Sequence, residues 1–343
     1  MIKIGIVGAT GYTGSELVRL LYSHPEVEIV IITSESYAGQ KFSEIHPQFK
    51  DIVDITLQPA SKIRESKPDL VFLALPHGVS MDYVKDLAKE DIKIIDLSGD
   101  FRLPTKELYE TWYNKSHSYP EGIEAAAYGI PELFRESLKD AKLIANPGCC
   151  PTGAIMAAAP LLREGLADPK HLFFDSKTGV TGAGVKPKLA THFSNVHENF
   201  KAYGVKTHRH TIEIQETLAR LGGCETMVQF TPHLLPVDRG ILTSVYALPV
   251  KDVDSKSLRE VYQKHYEKEH FVRILDKDPE IKNIRGTNYV DIYPVYDSRT
   301  GHIMVFSAID NLVRGAAGQA IQNMNILMGI KESAGLRDIP LRP

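Results

Sequence analysis

Cys149 stands in the phrase Asn146-Pro147-Gly148-Cys149-Cys150-Pro151-Thr152-Gly153, ahead of the small-residue run Ala154-Ile155-Met156-Ala157-Ala158-Ala159. Pro151 suits the first position of a helix, and the run after it can continue one. A thiol just before a helix N-terminus faces amide N–H groups and the positive end of the dipole. That favours the thiolate over a resting thiol of pKa ~8.5, which is a way to make a nucleophile. A small buried residue at a Pro-Gly turn is the plainer alternative. A second constellation is Thr207-His208-Arg209-His210-Thr211-Ile212-Glu213. Helical composition from Thr211 to Leu221, stopped by Gly222-Gly223, places His210 at a helix entrance and Glu213 about one turn inside. A histidine there tends to stay neutral at pH 7 and can accept a proton, with Glu213 to orient it or restore its basicity. His208 and His210 on one strand face would instead offer a metal pair, but no further Cys, Asp or His falls at ligand spacing and no metal is expected.

The elements that must position these groups alternate along the chain. Met1 to Val7 is a short apolar strand, followed by Gly8-Ala9-Thr10-Gly11-Tyr12-Thr13-Gly14 and then by helical spacing from Ser15 to Leu21. Strand, glycine turn and helix, with a second strand at Glu28–Thr33, make a βαβ unit whose backbone amides can approach a pyrophosphate. The spacing Gly-x-x-Gly-x-x-Gly is not the commoner dinucleotide fingerprint, so the context carries the reading. A glycine turn without ligand is the alternative. Asp69–Leu75 and Ile92–Leu97, with a helix near Val79–Lys89 between them, read as buried parallel strands, and Leu143–Ala145 as another. Ligands of open α/β sheets lie beyond the carboxyl ends of the strands. Pro76-His77-Gly78, Ser98-Gly99-Asp100-Phe101-Arg102 and Cys149 are therefore expected at one edge.

From Gly153 onward the pattern changes. Leu172–Ser176, Met227–Pro232, Ile241–Ala247 and Ile303–Ile309 alternate as strands of an antiparallel or mixed sheet do, and Asn311–Asn325 reads as one long helix returning to the first domain. The expected fold class is α/β, an N-terminal Rossmann-type parallel sheet with a second α+β domain on a mixed or antiparallel sheet. Residues 1–148 with 312–343 form the dinucleotide-binding domain, and 149–311 the catalytic, substrate and oligomerisation domain. The 343 residues carry a net charge of −3 with scattered Lys and Arg, which argues against nucleic acid. No tract is apolar enough to span a membrane, and a strand starting at the second residue leaves no room for a signal peptide. The 3 cysteines, two of them adjacent, cannot build a disulfide framework, so a reducing, cytoplasmic setting is expected.

Several phrases together resemble the N-acetyl-γ-glutamyl-phosphate reductases, the arginine-biosynthetic branch of the semialdehyde dehydrogenase group, over almost the whole chain. They are Val7-Gly8-Ala9-Thr10-Gly11-Tyr12-Thr13-Gly14, Ser36-Tyr37-Ala38-Gly39, Asp96-Leu97-Ser98-Gly99-Asp100-Phe101-Arg102, Asn146-Pro147-Gly148-Cys149, Gly179-Val180-Thr181-Gly182-Ala183-Gly184, His208-Arg209-His210-Thr211, Phe230-Thr231-Pro232-His233-Leu234 and Asp310-Asn311-Leu312-Val313-Arg314-Gly315-Ala316. The resemblance implies NADPH-dependent reduction of N-acetyl-γ-glutamyl phosphate to N-acetylglutamate semialdehyde and phosphate, reversibly, in arginine biosynthesis. Cys149 would attack the acyl phosphate and form a thioester, hydride would give a thiohemiacetal, and His210 would act as acid and base. Backbone amides after Cys149 are candidates for an oxyanion hole.

On this resemblance the cofactor residues are Gly8, Thr10, Gly11, Tyr12, Thr13, Gly14, Ser34, Ser36, Pro76, Ser98, Gly182, Gly184 and Asn311. Asn146 and Arg102 would hold the substrate and its phosphate, and Arg209 or Arg239 its α-carboxylate. Cys150 stands where relatives commonly carry an aromatic residue, and is expected to be buried or to cap the helix. Glu35 stands where many carry a basic one. Ser34 and Ser36 can still bond a 2′-phosphate and no acid occupies the strand end, so NADP rather than NAD is expected. The partners are a small acyl-phosphate substrate and further copies of the chain, as a dimer or tetramer. A carrier-linked aminoadipyl phosphate, aspartyl phosphate and a non-catalytic nucleotide-sensing protein are the other readings.

Overall fold

Four consecutive residues, Leu70, Val71, Phe72 and Leu73, are all fully buried. Successive strand residues point to opposite faces, so the sheet that contains them is covered on both sides. The computed structural model describes residues 1–336 and 339–342. It divides into one unit of Met1–Pro147 that resumes at Ala316, and another of Gly148–Gly315. The stretch 312–343 expected in the first domain includes positions 337, 338 and 343, which lie outside the described residues.

The sheet of the first unit has six strands: β1 (Ile2–Val7), β2 (Val27–Thr33), β3 (Leu70–Leu73), β4 (Lys93–Asp96), β5 (Ala126–Tyr128) and β6 (Leu143–Ala145). Their order is β2-β1-β3-β4-β6-β5, with every pairing parallel. β1 runs through Gly8 into the helix Tyr12–Tyr22. Gly8 has φ +82°, and a Cβ there would lie 2.5 Å from the carbonyl oxygen of Ala74. A Cβ on Gly14 would lie 2.3 Å from the Gly8 carbonyl oxygen, so the tight turn and the close seat of the helix both require glycine.

The second unit is built on β7 (Ala167–Thr178), β8 (Lys201–Ala202), β9 (Val228–Leu234), β10 (Ile241–Pro249), β11 (Val272–Ile274), β12 (Val290–Asp297) and β13 (His302–Ile309). The order is β11-β12-β13-β10-β7-β9-β8, mixed, with β7–β9 and β11–β12 parallel and the rest antiparallel. The helices Cys149–Arg163, His210–Gly222 and Ser255–Tyr266 pack on this sheet. Side chains on its other face include Phe173 and Tyr246, which are cross-strand partners and exposed.

The Cys149 helix is buried from Cys150 to Leu162, and its small residues let it lie close to the strands. The Ser307 hydroxyl donates to the Gly153 carbonyl at 3.0 Å, and the hydroxyls of Tyr262 and Tyr266 donate to those of Ala157 and Met156. The single helix expected over 311–325 is instead a π-turn, Val313–Ala317, followed by a helix Gly318–Leu327. Asp310 explains the difference: its carboxylate accepts the Leu312 and Val313 N–H groups, and its carbonyl accepts that of Gly315 at 2.9 Å. Those bonds hold the chain in a wide turn before α-helical pairing begins.

Candidate functional site

In the first unit, β1 turns through Gly8 into the helix Tyr12–Tyr22. Gly11 is the N-cap of the helix Tyr12–Tyr22 and no side chain caps it. Among the described residues a Cβ on Gly11 would meet only the Gly8 carbonyl oxygen, at 3.8 Å, so there is room beside Gly11 at the start of this helix. Thr10 and Ser34 hydroxyls are 3.3 Å apart, joining this turn to the end of β2. Ser36 and Tyr37 are exposed beyond it. The Glu35 carboxylate accepts the Ala60 N–H at 2.9 Å, at the start of the 3-10 turn Ala60–Lys62.

The loops after β3 and β4 are tied to each other. Both Asp100 carboxylate oxygens accept the Gly78 N–H, at 2.7 and 2.9 Å, and one also accepts the Tyr109 hydroxyl. The Gly99 N–H donates to His77 Nδ1 at 2.7 Å, which fixes the Pro76-His77-Gly78 loop against Ser98-Gly99. Ser98 donates its hydroxyl to Asp96, whose carboxyl is pushed up to about 6 by full burial and by the nearby Asp100. Arg102 Nε donates to the Asn146 carbonyl and its Nη2 to the Leu97 carbonyl, both at 2.7 Å. The Asn146 side chain is buried, donating to the Ala316 carbonyl and accepting from Asn323. Arg102 and Asn146 thus hold the turn that leads to Cys149, a positioning task that the sequence reading did not foresee.

In the second unit, Cys149 is the first residue of its helix, with Gly148 as N-cap. Pro151, expected at the first helical position, is the third. The Gly148 N–H donates to Glu213 Oε1 at 2.7 Å, so the buried glutamate of one helix anchors the N-terminus of the other. The sulfurs of Cys149 and Cys150 and one ring nitrogen of His210 all lie within 4.8 Å of one another. Cys149 is half-buried. Cys150 is buried rather than capping, and a hydrogen bond with Cys149 together with burial pushes its thiol well up. Two neighbours escaped the sequence reading. A Cβ on Gly315 would lie 2.8 Å from the Cβ of Cys149, so glycine is needed beside the nucleophile candidate; the resemblance phrase Asp310–Ala316 contains this glycine but nothing in it points to Cys149. The Tyr203 phenol is pushed up by burial and by the two thiols, and nothing in the sequence marks it.

His210 begins the helix His210–Gly222, which ends at Gly223 in the left-handed region, φ +64°. His208 and His210 do not share a strand face: His208 lies in the turn before this helix, where Gly204 and the Thr207 amide start a backbone reversal. His208 Nδ1 accepts the His210 N–H at 3.2 Å, so it serves as a neutral cap. Burial, and then Arg209, pull the His208 ring down to about 4. The ring is neutral when folded and protonates near its ordinary value when unfolded. Its contribution is therefore whole above about pH 6.5 and lost as pH falls toward 4, about 3 kcal/mol at most. Urea midpoints between pH 7 and 4.5 should fall less steeply for His208→Asn than for the unmodified protein; equal slopes would remove His208 from the acid response.

The glycine loop after β7 is pinned by Asn311, whose amide donates to the Thr181 hydroxyl at 2.9 Å and accepts the Gly240 N–H at 2.8 Å. Gly184 has φ +81° with open space at its Cβ, and Gly182 approaches only Thr178 and Asn311. Arg239 Nη1 lies 3.6 Å from the fully buried Asp310. Arg209 is half-buried at the start of the His210 helix.

Residues 3–141 match the family model "Semialdehyde dehydrogenase, NAD binding domain", and residues 149–311 match "Semialdehyde dehydrogenase, dimerisation domain". Fold and site thus define a semialdehyde dehydrogenase, a nicotinamide-dependent oxidoreductase acting on an aldehyde group. N-acetyl-gamma-glutamyl-phosphate reductases are similar over the whole length: that of Pelotomaculum thermopropionicum is 49% identical, covering 100% of this chain and 99% of the relative. That of Methanocaldococcus jannaschii is 48% identical with 100% of each covered. The chain belongs to the N-acetyl-gamma-glutamyl-phosphate reductase family. Among solved structures, aspartate semialdehyde dehydrogenase II of Vibrio cholerae has a TM-score of 0.74 at 16% identity, covering 96% of this chain and 98% of that one. The Candida albicans aspartate semialdehyde dehydrogenase with NADP has 0.70 at 19%, again covering 96% and 98%; both show the shared fold. Among the described residues, no helix is long and apolar enough to cross a membrane.

Proposed function

We propose that Cys149 is the nucleophile and His210 the proton carrier in the NADPH-dependent reduction of N-acetyl-γ-glutamyl phosphate to the semialdehyde. The observation that carries this reading is the placement of the Cys149 sulfur and a His210 ring nitrogen within 4.8 Å of each other, each on the first residue of a helix. Helix N-termini stabilise the thiolate and disfavour the imidazolium, which suits a nucleophile beside a base. The sulfur attacks the acyl carbon, the C–O bond to phosphate breaks, and phosphate leaves with that electron pair. The bound dinucleotide supplies the hydride. His210 gives a proton to the oxyanion left on the former thioester carbonyl, making the thiohemiacetal, and takes it back as the carbon–sulfur bond opens, the electron pair going to sulfur and the aldehyde leaving. The Cys150 N–H adjoins the reacting sulfur as an oxyanion donor; Pro151 has no N–H, and that of Thr152 bonds to the Gly148 carbonyl.

The open cradle at Gly11 fits a pyrophosphate, with Gly8 and Gly14 shaping it and Thr10, Tyr12 and Thr13 around it. The engagement of Glu35 by Ala60 supports NADP over NAD, since the acid is directed to a backbone amide and Ser34 and Ser36 are the hydroxyls at the strand end. In this reading Pro76 and Ser98 are the further cofactor residues of the first unit, and Gly182 and Gly184, with Asn311 positioning their loop, those of the second. Arg209 and Arg239 pair with the α-carboxylate, and Arg102 serves the phosphate while tethering Asn146. The outward ladder Phe173, Tyr246, Met304 and Val295 across β7, β10, β13 and β12 supports assembly of two copies through this sheet. A cytoplasmic setting goes with three cysteines that form no disulfide.

Given N-acetylglutamate semialdehyde, the protein should reduce NADP only when phosphate is present, with kcat/KM at least about 10-fold above that for NAD, the effect of about 1.4 kcal/mol. Reduction without phosphate would remove the acyl-phosphate chemistry. Preference for NAD would remove the reading of Glu35.

A further inference from the structure

We propose that Cys149, Cys150 and His210 form a binding site for a zinc ion, which closes the reaction site reversibly. The three ligand atoms, two sulfurs and one imidazole nitrogen, lie within 4.8 Å of one another. In a tetrahedral zinc site, metal–sulfur bonds of about 2.3 Å and metal–nitrogen bonds of about 2.0 Å put ligand atoms roughly 3.5–3.8 Å apart. Side-chain rotation of about 1 Å therefore brings the set to bonding geometry. The backbone that carries it is already fixed. Cys149 and Cys150 are the first two residues of one helix, His210 is the first of another, and the two helices pack together and are joined by the Gly148 N–H to Glu213 bond of 2.7 Å.

The donor set selects the metal. Thiolates and imidazole favour zinc over magnesium or calcium, which take oxygen ligands. On binding, any proton that the two sulfurs carry passes to solvent, and each sulfur donates a lone pair to the ion. No electron changes owner in that step, so no oxidant or reductant is needed. Two thiolates cancel the two charges of the ion, so the positive ends of both helices face a neutral complex rather than a cation. Three protein ligands leave a fourth position for water. The Cys149 sulfur is then tied up, and the His210 nitrogen with it. The loss of rate rests on Cys149 being the nucleophile, whereas the binding does not.

The test uses the full chain, stripped of metal by a chelator, as the unmodified protein and as Cys150→Ala and Cys150→Ser. Zinc chloride is titrated against a chromophoric chelator and, separately, against turnover, with every rate referred to that variant's own rate in excess chelator. Cadmium chloride is titrated while thiolate-to-metal absorption is recorded. One zinc per chain is expected, with a midpoint for both binding and inhibition at least about 100-fold higher in the two variants. Loss of a direct ligand should exceed the 10–100-fold typical of losing an outer partner. Cadmium absorption should fall by about half when one thiolate replaces two. Equal zinc midpoints in all three proteins would overturn the site, whatever Cys149→Ala does to turnover. Cys150-dependent binding of zinc with undiminished turnover would uphold the site and overturn Cys149 as the nucleophile.

Discussion

Cys149→Ala is expected to lower turnover by at least about 10⁴-fold while cofactor affinity stays within about three-fold, because removing a covalent nucleophile leaves only binding and electrostatic assistance. The glycines proposed for the cofactor, Gly8, Gly11 and Gly14, belong to the first unit and Cys149 to the second, and the substitution leaves those glycines in place. Alanine also fits the site: the Cβ of residue 149 already packs 2.8 Å from where a Cβ on Gly315 would fall, and a smaller side chain adds no clash. Single-turnover assays with N-acetyl-γ-glutamyl phosphate check the chemistry, and fluorescence titration with NADPH checks the binding. A variant that still forms the semialdehyde at the normal rate would transfer the nucleophile's part to another group. Cys150 would be the first to consider, although its sulfur is buried and its thiol is held protonated by the hydrogen bond with Cys149 and by burial. Formation of a thioester, trapped by acid quench in the absence of NADPH and absent in the variant, separates loss of the first step from loss of the second.

Much of this architecture was legible in the sequence because the signals were local. The apolar runs of β1, β3, β4 and β6 lie within one or two residues of the expected segments, since fully buried parallel strands need continuous hydrophobicity. Cys149 and His210 were legible because helix ends have short signatures, Gly-Cys-Cys-Pro at one and a glycine stop at the other. What the sequence concealed was pairing across distance. Nothing near Arg102 announces that its guanidinium will bridge the carbonyls of Leu97 and Asn146. Nothing near Glu213 announces that its carboxylate will hold the Gly148 amide. Nothing near Glu35 announces that its carboxylate will accept the N–H of Ala60, 25 residues later. β12 was overlooked because Pro294 interrupts it, and a proline inside a run argues against a central strand. Pairing on both sides, to β11 and β13, carries it regardless. Charge and hydrogen-bond partners are thus the part of a site that composition and spacing do not encode, while backbone turns and helix ends are legible there.

His210→Asn is expected to lower kcat by about 10²–10⁴-fold, the range for removal of a positioned acid and base. Asparagine retains the size and one polar end of the ring, and its main-chain N–H can still donate to His208 Nδ1, which caps the helix at 3.2 Å in the present protein. The fold and the first helical turn should therefore survive, and a loss of rate reports on proton transfer. The pH profile supplies the sharper readout. In either direction of the reaction the ring would both give and take the proton at the substrate oxygen, so a limb of the profile that belongs to it should flatten in the asparagine variant. If the limbs persist in His210→Asn, another group carries the proton. His208 would be a poor substitute, since burial and Arg209 hold its ring near 4 and its Nδ1 is already bonded to the His210 amide.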